Sequence, residues 1–199
     1  HLYCAWPMTE TQNNEELRKA CMQAVENRAS ENEASHALVH RSLIAARLKD
    51  RDALTQALTD LMNSKIYYNS LMTNHDFDRG SCYCTDFAIG YLGILSESLA
   101  FSDTGVIEIL PCLPNSGFDA GEITGIRART RALINDLKWD TAAGTASVTV
   151  TSDIAQTIEI SCGLSGETQS IYILKTTAVR NAYEPLLLFK KAPLQKAGG

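Results

Sequence analysis

The chain reads as an α+β protein, helical over residues 1–103 and β-rich over 104–199. Three observations carry that division. Apolar residues recur every three or four positions before Asp103-Thr104-Gly105, and at every second position after it. Turn formers crowd the second half, at Asn115-Ser116-Gly117, Ala143-Gly144 and Gly163 to Gly166. In the first half, a helix apolar on most sides is followed by one apolar on a single side. That alternation is what a two-layered helical toroid produces.

The elements follow in order. Asn13 or Asn14 ahead of Glu15-Glu16 marks a helix start, and Leu17, Ala20, Cys21, Ala24 and Val25 form its stripe. Ala37–Leu48 is apolar over most of its circumference and so calls for neighbours on several sides. With about four helices to supply them, the chain by itself is expected to fall short of a stable, complete barrel. Asp52–Asn63 repeats Ala53, Leu54, Ala57, Leu58, Leu61 and Met62 on one face, as an outer helix does. The stretch from Asn74 to Cys84 is too polar for core, and Asp86–Ala100 then resumes a helical repeat through Ile89, Leu92, Leu95 and Leu99.

Past Gly105 the strand Val106–Leu110 is stopped by Pro111 and Pro114. Ala146, Val148 and Val150 alternate with polar residues, as do Ile158 and Ile160, which predicts half-buried strands in an antiparallel sandwich. Gln195–Gly199 reads as a disordered tail.

Composition narrows the function classes. A net charge of −5 without a Lys/Arg cluster gives no footprint for nucleic acid. No run approaches the ~18 apolar residues that cross a bilayer, so no membrane partner is expected. The chain opens on His1 and shows no charged n-region or h-region, as a processed product or a piece of something longer would. Its compartment is therefore not legible. The six cysteines lack a regular framework, and Cys21 and Cys162 read as small buried hydrophobes, which leans towards free thiols.

Asp86 is the residue of chemical interest. At a helix start it either caps free amides or aims a carboxylate into a pocket at the helix end. Metal sites are weakly signalled. His75 with Cys82 and Cys84 lacks four-ligand zinc spacing. Asn74-x-Asp76-x-Asp78 opens like a calcium loop, but Arg79 and Thr85 stand where glycine and glutamate belong. His36 and His40 share a helical face without a third ligand, as partly buried, hydrogen-bonded histidines do. Trp6, Phe77 and Tyr83 are aromatic platforms for a sugar face or ordinary packing residues.

Several stretches, in order, resemble glycoside hydrolase family 95, whose founding activity is 1,2-α-L-fucosidase. They are His1-Leu2-Tyr3 with Pro7, the helix ending Ala46-Arg47-Leu48-Lys49-Asp50, Thr85-Asp86 with Glu97-Ser98-Leu99 after it, Gly105 to Pro114, and Gly125-Ile126-Arg127-Ala128-Arg129. The resemblance runs from His1 to about Trp139. It implies the last helices of an (α/α)6 barrel followed by a β-sandwich-like C-terminal domain. It also implies inverting hydrolysis of a terminal α-L-fucoside or α-L-galactoside on an oligosaccharide or glycoconjugate glycan, with no metal and no cofactor. Asp86 takes the place of the family's water-activating aspartate. His1 and Tyr83 become substrate-binding candidates. The acid Glu and the water-holding asparagines would come from an upstream part of the same polypeptide or another chain completing the barrel. Cys84, Phe87 and Ala88 depart from the family's Gln, Gly and Asn, and are expected to border the sugar. The rival readings are a non-catalytic carbohydrate-binding or packing piece, and a helical-barrel phosphorylase or hydrolase for another sugar.

Overall fold

Local chemistry sets several of the helix ends in the first half. The structure is a computed structural model that describes residues 2–28, 34–63, 75, 82–175 and 186–191. The helix α1 (Glu15–Glu26) begins where the Asn14 side chain accepts the Leu17 amide at 2.9 Å. α2 (Ser35–Leu48) ends on Lys49, whose left-handed φ of 61° turns its amide back onto the carbonyls of Ala45 and Ala46. α3 (Arg51–Asn63) is capped by Asp50, which accepts the Ala53 amide at 2.9 Å. α4 spans Thr85–Leu99.

These helices belong to one compact unit, residues 1–99 with 112–116. α2 is its centre. Leu38, Val39, Leu43 and Ala46 share a core with Leu54 and Leu61 of α3 and with Phe87 and Ile94 of α4. Ile44 and Leu48 meet Cys21 of α1 and Ala5 of the N-terminal loop. Fully burying such aliphatic side chains is worth about 1.5–3 kcal/mol each. The helix that the sequence singles out as short of neighbours therefore finds them inside this chain. The open apolar face is instead on α4, where Ile89 and Leu92 are 73% and 65% exposed.

α2 and α4 run parallel. A Cβ at Gly90 would lie 2.5 Å from Val39 Cγ1, and one at Gly93 would lie 3.8 Å from Leu43 Cδ2. One turn on, Arg47 bonds Glu97. Contacts that advance together along both helices put the two N-termini at the same end. The described residues hold four helices, fewer than a full (α/α)6 barrel contains.

The second unit comprises residues 100–111 and 117–199. Its strands are β1 (Ala100–Asp103), β2 (Val106–Ile109), β3 (Ala120–Arg127), β4 (Ala132–Asp140), β5 (Thr145–Ser152), β6 (Gln156–Cys162), β7 (Thr168–Ile173) and β8 (Leu186–Lys190). The sheet orders are β1-β2-β6-β7 and β3-β4-β5-β8. Alternate residues are buried along β5 and β6, including Val148, Val150, Ile158 and Ile160, so each of these sheets has one covered face, as a sandwich requires.

Two expectations need correction here. The pairing is not wholly antiparallel, because β2 and β6 run parallel, with Ile107 opposite Ile160. Strand structure also begins at Ala100, ahead of the change of period at 103–105, since Ala100–Asp103 pairs with Val106–Ile109 across a turn at Gly105 (φ 71°). Glycine suits that turn because a Cβ is strained at positive φ. The expected disordered tail, Gln195–Gly199, lies outside the described residues.

Candidate functional site

Backbone bonds gather the N-terminal ends of α2 and α4. The Ser35 amide donates to the His75 carbonyl at 2.8 Å, and the His75 amide donates to the Cys82 carbonyl at 2.7 Å. His75 also stacks on His36, with ring centroids 4.7 Å apart. Tyr83 and Asp86, just past Cys82, are thus tied to the start of α2. Tyr83 is 52% exposed.

Asp86 lies in the first turn of α4, one residue inside the helix rather than at its cap. It is exposed, and among the described residues its side chain makes no hydrogen bond or ion pair. Of the two roles open to it, capping is therefore not the one observed. A first-turn carboxylate still sits where the helix dipole favours negative charge. Its neighbours correct another expectation. Phe87 is fully buried and Cys84 is 3% exposed, both within the core around α2, so neither faces outward. Of the three departures only Ala88 is on the surface. His1 and Phe77 lie outside the described residues, as do Asp76 and Asp78 of the calcium-like stretch. Among the described residues no three His, Cys, Asp or Glu side chains gather as metal ligands.

The helical unit also holds a cavity of about 350 Å³ between the N-terminal loop, α1 and α2. Tyr3 and Trp6 line it from the loop, Arg28 from beyond α1, and His36, His40 and Arg41 from α2. His40 meets Trp6 edge-on, with ring centroids 5.4 Å apart. His36 Nδ1 is buried and has no hydrogen-bond partner among the described residues, unlike the satisfied histidine its position suggests. The sequence signal was the spacing of His36 and His40. Nothing local announces that Tyr3, Trp6 and Arg28 join them. Asp86 is not among the lining residues.

Away from this cavity, Arg47 is 1% exposed and grips Glu97 through two bonds, Nε to Oε2 at 2.6 Å and Nη2 to Oε1 at 3.1 Å. A third bond reaches the Met8 carbonyl at 3.2 Å. In the strand unit, the Arg129 amide donates to Ser102 Oγ at 2.8 Å, and Ile126 and Arg127 of β3 pair with Ile134 and Leu133 of β4.

With two sheets following a helical unit, the architecture is that of a helical region leading into a β-rich C-terminal domain. Residues 101–183 match the family model described as glycoside hydrolase family 95, C-terminal domain. That match is consistent with the C-terminal portion of a member of that family. The match takes in β2 to β7 and most of β1, and leaves α1–α4 outside it. No curated protein matches the chain.

Proposed function

We propose that this chain is part of an inverting glycoside hydrolase acting on terminal α-L-fucosides or α-L-galactosides, with Asp86 on the water-activating side of the reaction. The observation that carries the reading is the match to the family 95 C-terminal domain at 101–183, directly preceded by a helix whose first turn presents an exposed carboxylate. In an inverting hydrolase the base and the acid stand about 6.5–9.5 Å apart, leaving room for a water beneath the anomeric carbon. Asp86 would take that water's proton while a Glu from elsewhere in the barrel protonates the leaving oxygen. A carboxylate that makes no bond among the described residues is available for that work.

The other parts of the proposal have their own support. The helical unit would contribute to an (α/α)6 barrel completed by more of the same polypeptide or by another chain. The exposed Ile89 and Leu92 on α4 support this, since an apolar helical face gains by being covered. The cavity at Tyr3, Trp6 and His40 falls within the volume range of small-molecule pockets, about 300–1,000 Å³, and its aromatic rings suit a sugar ring of the glycan. Tyr83 and His1 would hold further hydroxyls.

Asp86→Asn in the intact protein tests the assignment. It keeps the shape and removes the base. Hydrolysis of α-L-fucosides or α-L-galactosides should fall by roughly 10²–10⁴-fold with the melting temperature little changed. Undiminished turnover would overturn the role of Asp86, and absence of turnover in the unmutated intact protein would favour the non-catalytic reading.

A further inference from the structure

Cys4 and Cys21 are 17 residues apart in sequence, yet their sulfurs lie 3.5 Å from each other. Cys4 is on the N-terminal loop, half-buried, and Cys21 is the buried residue of α1. Around them, Ala5, Leu17, Met22, Ile44 and Leu48 form an apolar cluster that holds the loop against the helix. A disulfide bond is about 2.05 Å long, so bond formation asks sulfurs already 3.5 Å apart to close by about 1.5 Å.

We propose that Cys4 and Cys21 form a thiol–disulfide exchange site that takes a low-molecular-weight disulfide such as glutathione disulfide. Cys4, the more accessible sulfur, gives up its proton to solvent and attacks one sulfur of glutathione disulfide. A mixed disulfide forms on Cys4 and one glutathione thiolate leaves. The Cys21 thiol then loses its proton and attacks Cys4 Sγ, forming the Cys4–Cys21 bond and expelling the second glutathione thiolate. The protein loses two thiol hydrogens and two electrons, and one glutathione disulfide becomes two glutathiones. Burial and the adjacent Cys4 push the Cys21 thiol up to about 11, so the closing step accelerates as pH rises towards that value. The product staples the loop carrying Tyr3 and Trp6, one wall of the cavity, to α1.

The test uses the intact protein equilibrated in glutathione buffers of increasing oxidised fraction, acid-quenched, alkylated and mapped as peptides by mass spectrometry. A cross-linked Cys4–Cys21 peptide pair should grow with the oxidised fraction and vanish on reduction. Cys21→Ser should stop at a Cys4–glutathione adduct. Should that variant fold poorly, the map of the unmutated protein decides alone. A Cys4–glutathione adduct as the end state there, or unmodified Cys4 beside a glutathionylated, exposed Cys82, overturns the proposal.

Discussion

Arg47 and Glu97 show what a single pair can demand of its surroundings. An ion pair with side-chain exposures of 1% and 10% has lost nearly all its water, and its two-pronged geometry and the Met8 carbonyl help to compensate. Removing one partner leaves the other charge buried without its two-pronged counter-ion. Arg47→Ala should therefore destabilise the helical unit by about 3–5 kcal/mol in denaturant unfolding. The Arg131–Asp153 pair is of similar geometry, but its side chains are 62% and 56% exposed. Arg131→Ala should cost at most about 1 kcal/mol, because water and salt screen that pair.

Cys21 sets a pH dependence of its own. Burial, and after it the adjacent Cys4, pushes its thiol up from the ordinary 9.0 to about 11 in the folded state. The folded state binds that proton more tightly, so the associated stability is full below pH 9.0 and is lost as pH rises through about 11. Alkaline unfolding curves of Cys21→Ala should lack that part of the slope.

At the scale of elements, the approach of α2 to α4 is governed by glycine. Ala is ordinarily the better helix former, by about 1 kcal/mol over Gly. At Gly90 the added Cβ would meet Val39 Cγ1 at 2.5 Å, so the helices must part or Val39 must turn. Gly90→Ala should therefore cost about 1–3 kcal/mol net, and Val39→Ala in the same chain should recover much of it. Equal unfolding midpoints for Gly90→Ala and the unmutated protein would show that the contact yields without cost. The strands carry a related case. Gly121 of β3 lies against the Trp139 ring, whose Nε1 donates to the Phe118 carbonyl at 2.9 Å. Both glycines sit inside regular elements, where the sequence offers no reason for them. Their reason is a neighbour far along the chain.

At the scale of the molecule, the chain passes between its units more than once, because residues 112–116 return to the helical one. Arg51 Nε holds the Leu113 carbonyl at 2.6 Å, and the Asn115 amide donates to Thr55 Oγ1 at 2.8 Å. The exposed face of α4 makes a further prediction at this scale. If more of the barrel covers Ile89 and Leu92, Leu92→Asp should destabilise the intact protein by several kcal/mol and lower its turnover. If the face meets water, the change should stay within about 0.5 kcal/mol in thermal unfolding.

Local rules made the elements legible. The Asn14 cap, the period of α1 to α4 and the alternation of β5 and β6 all act over a few residues, and such short-range forces are written directly in the chain. The quoted stretches around Arg47 and Glu97 likewise stood out from the sequence, although not as partners 50 positions apart. The parallel β2–β6 pairing, the burial of Phe87 and Cys84 beside an exposed Asp86, and the cavity joining Tyr3 and Trp6 to His36 and His40 belong to the tertiary structure alone. Each depends on which distant surface meets which, and the free energy that selects it comes from burial shared between segments rather than from any one of them.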